Sequence, residues 1–322
     1  MVIKMNWSNS PICKMCGISY PIFQGGMAHI ADARLAAAVS EGGGLGIISA
    51  MSRDAEYLRK QIKDAKELTD KPFGVNVMLM SPYTDEVAAL LAEEKVSVVT
   101  TGAGNPSKYM ELWNNAGIHV IPVVASTALA KLVERLGASA VIAEGGESGG
   151  HVGDATTMAL VPQVCDAVNI PVIAAGGIAD GRTMAAAFML GAQGVQIGTR
   201  FLVAEECGVH QNYKNKILHA GDISTIVTGR RLGHPVRSIK TPFSRAYAKA
   251  EYTDISDDDL EQMAVGALRL AAVEGDEKNG CFLAGQIAGL VNREQPAKEI
   301  IEEICTEAEN ILKGASKWVK QQ

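Results

Sequence analysis

The sequence predicts a (β/α)8 barrel of the TIM type, an α/β fold, with a smaller lid domain inserted towards its C-terminal end. Three observations carry this. Eight short apolar runs recur between Pro21 and Phe201, each ended by glycine or a small polar residue. Their starts lie 21 to 31 residues apart, enough for one helix and its two turns between neighbours. The runs are also continuously apolar rather than alternating with polar residues, as expected of parallel strands covered on their outer face. Eight such units favour a closed barrel over an open doubly wound sheet.

In order, the runs start at Pro21 (PIFQGG), Leu45 (LGIISA), Phe73 (FGVNVML), Ser97 (SVVTTGAG), His119 (HVIPVVAS), Ala140 (AVIAEG), Pro171 (PVIAAGG) and Gly194 (GVQIGTRF). The longest interval follows the sixth run and contains EGGESGGHVG, Glu144–Gly153. Loops after the C-terminal ends of barrel strands build active sites, so the extra length there is a functional signal. After the eighth run the pattern turns polar, with a basic segment RRLGHPVRSIK and an acidic run DISDDDLEQ. The apolar CFLAGQIAGLV then returns to the barrel, and a helix follows Pro296. Its Ile300, Ile304, Ala308, Ile311, Ala315 and Trp318 recur every three or four residues, a stripe that packs on the protein or on a second copy. The expected division is barrel 1–204, inserted lid or substrate domain 205–282, and return with terminal helix 283–322.

Composition narrows the class. With 322 residues, 47% of them hydrophobic, the chain can bury a large core and is not a disordered protein. The N-terminal run lacks an apolar h-region and a cleavage signature, and no apolar stretch reaches the ~18–20 residues of a membrane span. A cytoplasmic protein without a membrane partner is expected. The net charge of −6 argues against nucleic-acid binding. Cys13 and Cys16 form a single C-x-x-C with no second pair at zinc-ribbon spacing, so reduced thiols and no metal are expected.

The chemistry gathers at predicted strand ends. Gly176 and Gly177 after the seventh run, with Gly198 and Thr199 after the eighth, occupy the usual barrel phosphate site, where bare N–H groups and a helix N-terminus meet an anion. Asn76 lies inside an apolar strand, where its amide needs a partner. QGGM, including Gly25, Gly26 and Met27, exposes backbone at the end of the first run. These features suit flavin mononucleotide across the barrel mouth, with a sugar phosphate or another phosphorylated metabolite as the rival and a plain strand-to-strand hydrogen bond as the bland reading of Asn76. His151, among the glycines of the longest loop, is placed to hold or deliver a proton. Glu144 is placed to bind cofactor hydroxyls or a cation, or to organise its own loop. Arg230, Arg231, Arg237, Lys240 and Arg245, with His234, form a basic cluster: either a solvated face or a dock for an anionic partner or a dinucleotide's phosphates.

Taken in order, PIFQGGMAHIAD, GGGLGIIS, KPFGVNVML, TTGAGNPSKYM, EGGESGGHVG, PVIAAGGIADG, VQIGTRF and AGQIAGLV resemble the flavin-dependent enoyl-acyl-carrier-protein reductases of bacterial fatty-acid synthesis, within the wider nitronate monooxygenase (2-nitropropane dioxygenase-like) group. The resemblance spans nearly the whole chain from Ile18, and TTGAGNPSKYM and GHPVRSIK favour the reductase branch. It implies FMN seated by Gly25, Gly26, Met27, Asn76, Gly176, Gly177, Gln196, Gly198 and Thr199, with Gln286 near the ring and His151 essential. It implies ping-pong chemistry: NADH or NADPH reduces FMN, and hydride then passes to the β-carbon of a trans-2-enoyl thioester. Acyl carrier protein becomes the partner of the basic cluster (Arg230, Arg231, Arg237, Lys240), a monovalent cation near Glu144 a further expectation, and a homodimer the expected assembly. The N-terminal segment with Cys13 and Cys16 has no counterpart in this pattern. The rival activities are nitronate monooxygenase, NAD(P)H:quinone reductase and a non-catalytic phosphate-binding barrel.

Overall fold

The computed structural model describes residues 7–51 and 53–315. Eight parallel strands form the barrel: β1 Ile22–Gln24, β2 Gly46–Ser49, β3 Phe73–Met78, β4 Val98–Gly102, β5 His119–Val124, β6 Val141–Glu144, β8 Val172–Ala175 and β9 Gly194–Ile197. Between β6 and β8 the long loop makes a two-residue strand of its own, β7 Gly150–His151. The ladder runs β1–β9–β8–β6–β5–β4–β3–β2, and a bridge between Phe23 and Leu45 brings β2 back to β1. Each predicted run contains its strand, so the fold is a (β/α)8 TIM-type barrel.

Closure between β1 and β2 relies on a side chain. The fully buried Gln24 accepts from Ile47 N at 3.1 Å and donates to Ile47 O at 3.2 Å. Its amide thus stands in for a ladder pair where the short β1 has run out, and a buried amide is tolerated because both ends are satisfied.

Two apolar layers hold the barrel. Outside, Val75, Val99, Val120, Val141, Val172 and Val195 meet the helices. Inside, Phe23, Leu45, Ile47, Val98, Ile121, Ile142 and Ile173 meet Ile12, Cys13, Cys16 and Ile18. The helix Pro11–Cys16, with Ser10 as its cap, is therefore the barrel's plug. Cys13 and Cys16 are buried there as free thiols, and desolvation pushes both up to about 12, which makes them unreactive.

Residues 205–282 contribute the helix Gln211–Leu218, an antiparallel hairpin of β10 Thr225–Thr228 and β11 Val236–Ile239, and the helices Pro242–Ala250 and Asp257–Ala264. β11 pairs with β7, His151 opposite Val236 and Gly150 opposite Arg237, so the inserted segment is stitched to the long loop. The terminal helix Ala297–Gly314 packs on helices Gly181–Met189 and Ala33–Glu41. Its buried face is Ile300, Ile301, Ile304, Cys305 and Ala308. Ile311 departs from the predicted stripe at 38% exposure while Leu312 packs inward, because the buried row drifts round the helix. Trp318 lies outside the described residues. No described helix is long and apolar enough to cross a membrane.

Candidate active site

The mouth is built where strand ends converge. At β1, Gly26 backs onto β3 so closely that a Cβ would sit 2.2 Å from Asn76 Cβ; only glycine fits. Asn76 Oδ1 accepts from Thr100 Oγ1 at 2.8 Å, and its Nδ2 donates to Gly26 O at 3.3 Å. It thus ties β3 to β4 and to the β1 turn, and one amide hydrogen remains for a ligand. Across the mouth, Gly25 N donates to Ile197 O, bringing Gly25 and Met27 beside Gln196 and Gly198.

Gly176 and Gly177 both turn left-handed, at φ +85° and +73°. Among the described residues, the backbone N–H groups of Gly176, Gly177, Gly198 and Thr199 donate to no protein acceptor. Orphan donors at adjacent strand ends are the arrangement a phosphate satisfies. The helix N-terminus expected to assist is already occupied. Asp180 accepts from Thr183 N at 3.0 Å, and Glu307 accepts from Gly181 N at 2.7 Å. That expectation is corrected: the cup is made of loop amides, because two carboxylates already cap the helix.

The loop Glu144–Gly153 is held from three sides. Glu147 accepts from Thr157 N at 2.9 Å and from Thr157 Oγ1 at 2.9 Å, capping the helix Thr157–Ala167 from ten residues upstream. Arg237 donates to Gly146 O at 2.9 Å and to Thr225 Oγ1 at 3.0 Å. The return segment closes the third side: Gln286 N donates to Glu147 O at 2.9 Å and Gly285 N to Thr199 Oγ1 at 2.8 Å. Gln286, predicted near the ring, begins a 3-10 helix here and its side chain is exposed.

On this frame His151 stands at the mouth. Its ring has no hydrogen-bond partner among the described residues. One face keeps solvent, yet the surrounding protein desolvates it and, with His234, holds its pKa below the ordinary 6.5. Glu144 keeps a partly open edge and accepts from Ser148 Oγ at 2.8 Å. Burial raises its carboxyl to about 7 despite that bond, so near neutrality it exchanges a proton.

The residues of the predicted basic dock differ in how far their own chain engages them. Arg231 grips Asp257 at 2.9 Å, Thr253 O at 3.0 Å and Ile255 O at 2.7 Å, and Arg237 is the loop clamp. All three nitrogens of each guanidinium bond their own chain, which fixes both side chains in place. Arg230, 3.4 Å from Asp154, and Lys240, 2.6 Å from Ile223 O, remain exposed. Glu147, Thr157 and the clamp role of Arg237 were missed, although the glycine pattern of the loop pointed to its need for support. A cleft of about 850 Å3 along the terminal helix is rimmed by Glu299, Glu302, Glu303 and Glu307, repels anions, and lies apart from the strand ends.

The barrel mouth is thus lined by glycines, with loop amides that meet no described acceptor and an exposed imidazole beside them. The chain belongs to the nitronate monooxygenase family, whose model matches residues 9–90 and 81–307 and whose members are FMN-dependent flavoenzymes. It is similar to FabK of Thermotoga maritima, with 51% identity, a TM-score of 0.95, and coverage of 97% of this chain and 99% of that one. It is 34% identical to the (3aS,4S,5R,7aS)-5-hydroxy-7a-methyl-1-oxo-octahydro-1H-indene-4-carboxyl-CoA dehydrogenase of Mycobacterium tuberculosis, over 97% of this chain and 99% of the relative. A probable nitronate monooxygenase of Staphylococcus saprophyticus is 33% identical over 92% of this chain and 97% of its own.

Proposed function

We propose that the protein reduces trans-2-enoyl thioesters carried on acyl carrier protein, with NADH or NADPH as reductant and FMN as resident cofactor. The observation that carries this reading is the 51% identity to FabK along nearly the full chain, which supports enoyl-acyl-carrier-protein reduction. The mycobacterial relative named for a CoA thioester supports the substrate class.

The residues present fit FMN. The orphan N–H groups of Gly176, Gly177, Gly198 and Thr199 would hold its phosphate, and the spare Asn76 hydrogen and the Gly25–Met27 turn would meet the ring system. Bound there, FMN supplies two-electron carriage between the nicotinamide and the thioester's β-carbon. The chain itself supplies the proton. Reduction of the double bond places one hydride at the β-carbon and one proton at the α-carbon. His151, exposed at the mouth and without a hydrogen-bond partner among the described residues, delivers that proton and is reloaded from solvent. The frame around it keeps the ring in place: β7 is fixed to β11, and Arg237 fixes the loop below.

Replacing His151 with alanine is expected to cut enoyl reduction by about 10²–10⁴-fold while the protein stays yellow. Steady-state rates with crotonyl thioesters and the flavin-to-protein ratio check both halves. Undiminished turnover contradicts the role.

A further inference from the structure

A cleft of about 500 Å3 lies between the end of helix Gln211–Leu218, the turn after it and the end of β11. Its lining includes Ile223, 74% exposed, and the edge of the buried Ile239. Its rim is basic. Lys216 is paired with Glu277 at 2.9 Å, which cancels one charge of each sign. Lys240 donates to the neutral Ile223 carbonyl and keeps its full charge. Arg245 is exposed with no partner among the described residues, and His219 uses only Nδ1, 2.7 Å from Asn215 O. An exposed isoleucine beside two uncompensated cations stands out on a chain of net charge −6.

The cleft is tied rigidly to the mouth. Lys240 follows β11 four residues after Val236, the partner of His151, a span of about 13 Å at ~3.3 Å per residue. The 3-10 helix Gln286–Leu290 also abuts it: a Cβ on Gly289 would lie 2.9 Å from Gly221 C. An anchor at the cleft and a thioester at His151 are therefore held a fixed distance apart.

We infer that this cleft docks an acidic face of the carrier protein that presents the thioester, with Lys240 and Arg245 meeting carboxylates and Ile223 giving an apolar contact. This rests on the reading of the enzyme as a carrier-thioester reductase. It moves the dock away from Arg231, whose charge Asp257 offsets, and from Arg237, which is half-buried in clamping the loop. Charges at such a rim act on encounter and are screened by salt. A free coenzyme A thioester has no protein face and gains nothing from the cleft.

The test compares the full-length flavoprotein with its Lys240→Glu/Arg245→Glu variant on crotonyl carrier protein and on crotonyl-CoA. We expect KM for the carrier substrate to rise at least about tenfold while kcat/KM for crotonyl-CoA stays within about twofold. Added salt should raise the carrier KM of the parent and leave that of the variant nearly flat. Arg245→Glu alone, at an exposed position, gives the same direction if the double variant folds poorly. Equal losses on both substrates, or no loss on either, overturn the dock. A parent that reduces crotonyl-CoA but not the carrier substrate overturns it too, yet leaves thioester reduction standing; a parent that reduces neither overturns the enzymatic reading itself.

Discussion

Glu144 shows what one side chain at the mouth costs the fold. Its carboxyl titrates near 7 in the native protein against an ordinary 4.5. Between those values the folded chain keeps a proton that the unfolded chain has released, so stability falls as pH rises through the window. The group therefore costs up to about 3 kcal/mol above pH 7 and nothing below 4.5. In flavin-free protein, Glu144→Gln is expected to raise urea stability at pH 8 by up to that amount and to change little at pH 4.5. Equal shifts at both pH values would show that the carboxyl is not desolvated. His151 and Asn76 were readable as functional candidates because each breaks a local pattern: an imidazole among glycines, an amide inside an apolar strand. Their surroundings were not. Thr100, which bonds Asn76, and His234, whose charge helps depress His151, lie on other elements, and no local spacing announces a neighbour brought close by folding.

At the scale of elements, the loop between β6 and β8 is shaped by distant chain. The Arg237–Gly146 bonds bridge 91 residues. Arg237→Met keeps the stem and removes the donors, leaving Gly146 O and Thr225 Oγ1 without them. It is expected to cost about 1–3 kcal/mol and to weaken flavin retention, because the loop that frames the cup loses its clamp. Equilibrium unfolding and flavin release on dilution check this; unchanged retention would show that the loop supports itself. The barrel strands were readable because apolar runs bounded by glycine are a local signal. Gly150–His151 was not, since two residues become a strand only when β11 is laid beside them. The basic segment was readable as charge but not as geometry: pattern alone does not tell an arginine that faces solvent from one that bonds a carbonyl.

At the scale of the molecule, the barrel is closed at one end by its own N-terminal helix and built into a site at the other. Ile12, fully buried, fills the bottom against Phe23 and Leu45. Ile12→Ala is expected to cost about 2–5 kcal/mol through the cavity it leaves, with flavin content unchanged, as read by denaturant midpoint and absorbance. A loss under about 1 kcal/mol would mean that the plug is dispensable. The plug escaped prediction because six residues before the first strand carry no repeating period, whereas the eight-fold alternation behind them does. The family's FMN-dependent members, the unpartnered amides and the exposed imidazole at the mouth support the proposed flavin chemistry on a thioester. Anaerobic stopped flow on the purified yellow protein tests that most directly. Flavin absorbance should bleach on addition of NADH or NADPH and recover on addition of crotonyl carrier protein. Bleaching without recovery, or no bleaching at all, would contradict enoyl reduction, the second outcome favouring oxidation of an alkyl nitronate at the same mouth.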